Sequence, residues 1–249
     1  MYEDLSSEFQ KDIAMILAKI THHIHPDIIK IIELENTKFK SHFDLVKHEK
    51  CSTEAFFYDR SDCLFPGFRR PINREKRSGW KNNVYEDGTI LNDNTFPRHI
   101  WAFLSRGKAY SGGKSGMWAK SGLNRFELAH VFAHKTEERR FELRAFESVD
   151  NSLEPFGLFT SASNVVLIPK GFAKPTDHMD SIKACFYKRH IELYGYNLIG
   201  LGDFNDSILP PWYSEIEWLE PVLPSDWRTK VDNLLKYRDK YLNRKYTIA

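Results

Sequence analysis

Apolar residues Phe9, Ile13, Ile16, Leu17 and Ile20 recur at close to a 3.6-residue period, which predicts an amphipathic helix over 3–20. Pro26 followed by Asp27 opens PDIIKIIELEN as a second helix, with proline in the first turn and a carboxylate at its N-terminal end. Between them, His22, His23 and His25 read as a polar connection rather than a metal site. The aromatic stretch EAFFYDRSDCLFPGF is expected to be buried in part, and 84–99 to be rich in turns. HIWAFLSR at 99–106 fits either a strand or a short buried helix. His130 follows Phe126 and Leu128 at alternating positions, as on one face of a strand, and Asn164 stands just before a second apolar run, VVLIP.

From 179 the chain reads as a helix with Ile182, Cys185, Phe186 and Ile191 on one side and Gly195 as its terminator. Residues 196–225 read as mostly irregular. Asp226 then caps a last helix whose Val231, Leu234, Leu235 and Leu242 face a core. Without a clean linker, the pattern predicts one α+β domain over 1–249 with helical elements at both ends.

Composition narrows the function classes. The 249 residues include 18 Phe, 11 Tyr and 6 Trp, which favours a packed globular chain over a disordered one. No apolar run approaches the roughly 20 residues of a membrane span. MYEDLSSEFQ lacks the basic-then-apolar order of a secretory signal, and Cys51, Cys63 and Cys185 are too dispersed for a disulfide framework; a cytoplasmic location is expected. Net charge is only +2, yet residues 60–125 hold thirteen Lys or Arg against five Asp or Glu. That concentration suits a polyanionic partner. Within it, Arg69, Arg70, Arg74, Lys76, Arg77 and Lys81 cluster around Pro71 and Gly79 and are the candidate nucleic-acid contacts, with Asn82 and Asn83 beside them. The later GGKSG is not a nucleotide loop, because Lys108 stands where that motif needs glycine.

Phosphodiester hydrolysis needs a deprotonated water, a stabilised phosphorane charge and a neutralised leaving oxygen. Histidine suits the first task, and a divalent cation the other two. His130, closing the run FELAH, is the candidate base. Pairing it with His134 on zinc, as in a protease helix, fails because Val131 stands where that motif needs glutamate.

The order of these features resembles the HNH nucleases of the ββα-metal group: a strand ending in histidine, an asparagine heading a second strand, then a short helix. His130 in ELAHVFAHK matches the family's general base, and Asn164 in SASNVVLIPK its central asparagine. The resemblance covers residues 120–190 and implies a ββα-metal core with large helical and irregular flanks. It also implies a magnesium- or manganese-dependent endonuclease acting on double-stranded DNA. With 60–125 as a recognition region, a sequence-specific, restriction-type enzyme is expected, and a homodimer if its target is palindromic. Ala129 replaces the aspartate most members carry before the histidine, and Ala173 falls near the last histidine position. The ligands are therefore expected from Asp177, His178 and Glu127.

Two rivals remain. PDIIKIIELENTK carries the acidic residues and lysine of a paired-carboxylate restriction nuclease, though without the terminal Glu-x-Lys spacing. A non-catalytic nucleic-acid-binding protein would need only the basic region.

Overall fold

The computed structural model describes residues 6–44, 60–70, 90–92, 94–133, 139–147, 157–199 and 202–246. It is a mixed α+β structure in which helices surround small two-stranded pairings. Helix α1 (Ser7–Ile20) starts where the Ser6 hydroxyl accepts the Phe9 amide, and α2 (Pro26–Asp44) starts at the expected proline. The buried stripe of α1 is Ala14, Leu17 and Ala18, whereas Phe9 and Ile16 are exposed. The period and the face hold at Ile13, Leu17 and Ile20, which pack against the core, while Phe9 and Ile16 fall on its exposed flank.

HIWAFLSR resolves as helix. α3 (Thr95–Arg106) is capped by Asn92, whose Oδ1 accepts the amides of Thr95 and Phe96 at 2.7 and 3.1 Å, and it ends on left-handed Gly107. It packs against α8 (Trp227–Tyr246), which buries Val231, Leu234 and Leu235 as its pattern required. Short strands β1 (Phe68–Arg69) and β2 (Ile90–Leu91) pair in parallel. After the one-turn helix α4 (Met117–Lys120), β3 (Phe126–His130) runs antiparallel to β4 (Val165–Pro169) in the register His130↔Val165. Between these strands lies another one-turn helix, α5 (Glu142–Ala145). α6 (Lys174–His178) and α7 (Asp180–Tyr194) follow, the latter closed by left-handed Gly195.

Strand β4 is the buried centre. Val165 and Leu167 enter a core with α2, α3 and α8, while Val166 and Ile168 enter another with α1 and α7. Each such side chain contributes roughly 1.5–3 kcal/mol when fully buried. On the edge away from β3, the His22 backbone pairs with Leu167. His23 is sealed against Phe186 and Trp218, and His25 Nδ1 accepts the Asp27 amide, so the three histidines serve the connection between α1 and α2. The Trp101 indole donates to the Val165 carbonyl at 3.0 Å and ties α3 to the start of β4. No described helix is long and apolar enough to cross a membrane.

Candidate active site

Strand β3 ends at His130 because the chain is gripped immediately afterwards. The Val131 amide donates to the Asn164 carbonyl and continues the ladder by one bond. Then the Asn164 side chain takes over. Its Oδ1 accepts the Phe132 amide at 2.7 Å, and its Nδ2 donates to the carbonyls of Phe132 at 3.2 Å and Leu158 at 2.9 Å. Asn164 is fully buried, so these bonds form out of competition with water. They lock two backbone stretches together, the one leaving His130 and the one leading into Phe159. Phe132 is anchored besides by stacking on Tyr187 at 4.8 Å.

That second stretch supplies the partner of His130. The imidazole Nε2 lies 3.1 Å from the Phe159 carbonyl, and the ring stacks on the Phe159 ring at 5.5 Å. A carbonyl only accepts, so Nε2 carries the proton and Nδ1 carries the lone pair. Burial pushes the imidazole pKa down to about 4; the Phe159 carbonyl acts against that shift, and the Arg70 charge adds to it. The ring is therefore neutral near pH 7. Segment 61–65 backs the Phe159 loop from behind: Asp62 accepts the Ser163 amide, and Thr160 exchanges hydrogen bonds with Phe65.

His130 is half-buried and lines an open groove of about 910 Å³ that follows the outer edge of β3. Arg70, Arg98, Lys170 and Lys183 bring positive charge to its walls, and Glu127, Glu142 and Asp177 bring carboxylates. Trp118 adds an aromatic surface, with the Arg98 guanidinium 5.7 Å from its ring. The glycine-rich loop before α4 sets that tryptophan in place. A Cβ on Gly116 would lie 2.1 Å from the Gly112 carbonyl oxygen, so only glycine fits the turn.

The groove gathers His130, Glu127, Asp177, His178 and Arg70 of the residues singled out from sequence. Asn164 sits beneath it. Arg69 belongs to β1 by its backbone, and Arg74, Lys76, Arg77 and Lys81, with Asn82 and Asn83, lie outside the described residues. Glu127 and Ala129 alternate to the face of β3 opposite His130, and Ala129 and Ala173 pack against the α1–α7 core. Asp177 and His178 are exposed at the end of α6. Among the described residues, no three His, Cys, Asp or Glu side chains come together as a set able to hold a metal ion. The expected ligands thus share a groove without forming a ready-made cation site. Arg98, Trp118, Lys170 and Glu142 were not anticipated. Lys170 directly follows β4 and could have been found from the strand boundary, whereas the others come to the groove only through tertiary packing.

Comparison with protein-family models, with curated proteins and with solved structures finds no match. The functional reading accordingly stands on the groove itself. Asp27 and Glu35, the acidic residues of the paired-carboxylate alternative, do not line it; the Asp27 amide is bonded to His25 and Glu35 pairs with Lys38.

Proposed function

We propose that the chain is an HNH-type endonuclease with a ββα-metal core, hydrolysing phosphodiester bonds of double-stranded DNA in the presence of magnesium or manganese. The observation that carries this reading is the state of His130: a neutral imidazole at the rim of a groove, with its Nε2–H directed to the Phe159 carbonyl. In this reading Nδ1 takes a proton from a water molecule as that water attacks phosphorus in line. The imidazolium so formed is stabilised by its hydrogen bond to Phe159, which becomes charge-assisted. Arg70, Arg98 and Lys170 meet the negative oxygens of the phosphodiester. Asn164 acts as a positioning residue, since it fixes the backbone on both sides of the His130–Phe159 bond. The residues described do not gather a cation site, so no step of the attack is assigned to the ion.

The order strand, strand, helix over 126–194 is in keeping with a ββα-metal core, and the basic stretch 60–125 suits the polyanionic partner that a restriction-type enzyme would need. A palindromic target cut on both strands would call for a two-fold symmetric pair of chains. A second reading is a nucleic-acid-binding protein that does not cut, for which the positive walls of the groove at Arg70, Arg98 and Lys170 would suffice. Incubation of the purified chain with plasmid DNA and magnesium or manganese separates the two. Nicked or linear product abolished by EDTA is expected, with discrete fragments if the enzyme is sequence-specific and a smear if it is not. Binding without cleavage under either metal would establish the second reading, and neither binding nor cleavage would sink both.

A further inference from the structure

We propose that Trp118 stacks on a base that has left its duplex, so that the groove takes locally opened DNA in preference to a fully paired helix. The inference rests on reading the groove as a nucleic-acid site. Trp118 stands at the Phe126 end of that groove, because α4 leads through Ser121, Gly122 and the turn Leu123–Arg125 into β3. The indole is partly buried and lines the groove with the rest of its surface.

The surroundings hold this ring firmly. Ser111 grips the chain on both sides of the helix start: its hydroxyl accepts the Met117 amide at 2.7 Å and its carbonyl the Trp118 amide at 3.2 Å. Tyr110 meets the indole edge to face at 5.7 Å, and its own amide donates to His99 Nδ1 at 2.9 Å. Arg98 completes the cluster, its guanidinium 5.7 Å from the indole and 5.6 Å from the Tyr110 ring. Its Nη1 donates to the Tyr110 hydroxyl at 3.4 Å, its Nε is buried without an acceptor, and it forms no ion pair among the described residues. A planar cation held by rings, with no carboxylate of its own, suits a phosphate oxygen. Lys170 brings a second cation to the same end, where its amide donates to the Arg125 carbonyl at 3.0 Å.

An aromatic face with cations beside it is the combination that binds unpaired nucleic acid, since any base can stack on the ring while the cations hold the phosphates. In a closed duplex the bases stack on one another and present only their edges. The indole therefore gains a partner when one base swings out, which costs least where that base is already unpaired. The strand from Phe126 to His130 spans about 14 Å, at roughly 3.4 Å per residue. The unstacked base would thus stand a few nucleotides from the phosphate facing His130.

Fluorescence anisotropy in EDTA, where DNA is not cut, tests the proposal with two labelled probes: a short duplex, and the same duplex with a few central bases unpaired. The parent protein should bind the opened probe at least about fivefold more tightly. Trp118→Leu, apolar but without a ring, should lose most of that preference while binding the paired probe much as before. Trp118→Phe should keep part of it. 2-Aminopurine placed in turn at each unpaired position should be quenched at one of them by the parent protein, and less by Trp118→Leu. Circular dichroism checks that the variants are folded, and the parent protein's two readouts decide even if they are not. Equal affinity of the parent protein for both probes, no quenching at any position, or a preference undiminished in folded Trp118→Leu would overturn this inference alone. Binding of neither probe would overturn the nucleic-acid reading of the groove and this inference with it.

Discussion

In an Asn164→Ala protein three side-chain hydrogen bonds disappear together, leaving the Phe132 amide and the carbonyls of Phe132 and Leu158 unserved in a water-free interior. Each bond contributes about 1 kcal/mol net, and an orphaned buried group costs about 1–3 kcal/mol. The expected destabilisation is therefore about 3 kcal/mol, and more if the loop cannot relax toward water. Urea denaturation followed by tryptophan fluorescence reads this as a lower midpoint at unchanged slope, a shift of about 1 M for a slope near 3 kcal/mol/M. Asn164→Asp should do no better. It retains an acceptor for the Phe132 amide but sets a charge against two carbonyls. At a temperature where the Ala variant is still folded, DNA cleavage should fall further than stability accounts for, because the Phe159 carbonyl that orients His130 follows directly on Leu158. A midpoint within about 0.2 M of the parent protein would refute the clamp and the orientation argument built on it.

Two other outcomes follow from the same structure. Arg98→Gln should weaken duplex binding and lower the slope of log K against log salt by about one phosphate contact; an unchanged slope would remove Arg98 from the interface. Acid should destabilise the fold through His23 and His190, both sealed in the interior, where burial pushes their pKa values from 6.5 down to about 3. The unfolded chain binds protons to these rings first, so their contribution is complete above pH 6.5 and is lost as pH falls toward 3, by about 2 kcal/mol each between pH 7 and 5. Asp62, raised by burial to about 6, works in the opposite sense over that range and offsets part of the loss. His190→Gln should accordingly flatten the stability difference between pH 7 and 5, and an equally steep difference would contradict this assignment.

The linear pattern disclosed β3, Asn164 at the head of β4, and α7 with its Gly195 stop, because alternation, helical period and turn chemistry are local properties. It left HIWAFLSR open, since that run holds only part of a helix that begins earlier, at Thr95, where the Asn92 side chain accepts the first amides. It also missed most of what surrounds His130. The Phe159 carbonyl is invisible in a sequence, as every residue has one, and Glu142 lies in a charged stretch where one glutamate looks like the next. That Glu127 shares the groove without closing on His130 was legible: its odd spacing from His130 puts it on the other face of the strand.

The central claim is that one imidazole performs the proton transfer, and His130→Ala tests it most directly. On plasmid DNA with manganese, the account predicts cleavage at least about 100-fold slower than in the parent protein, with duplex binding in EDTA retained. Cleavage at the parent rate by the His130→Ala protein would contradict it.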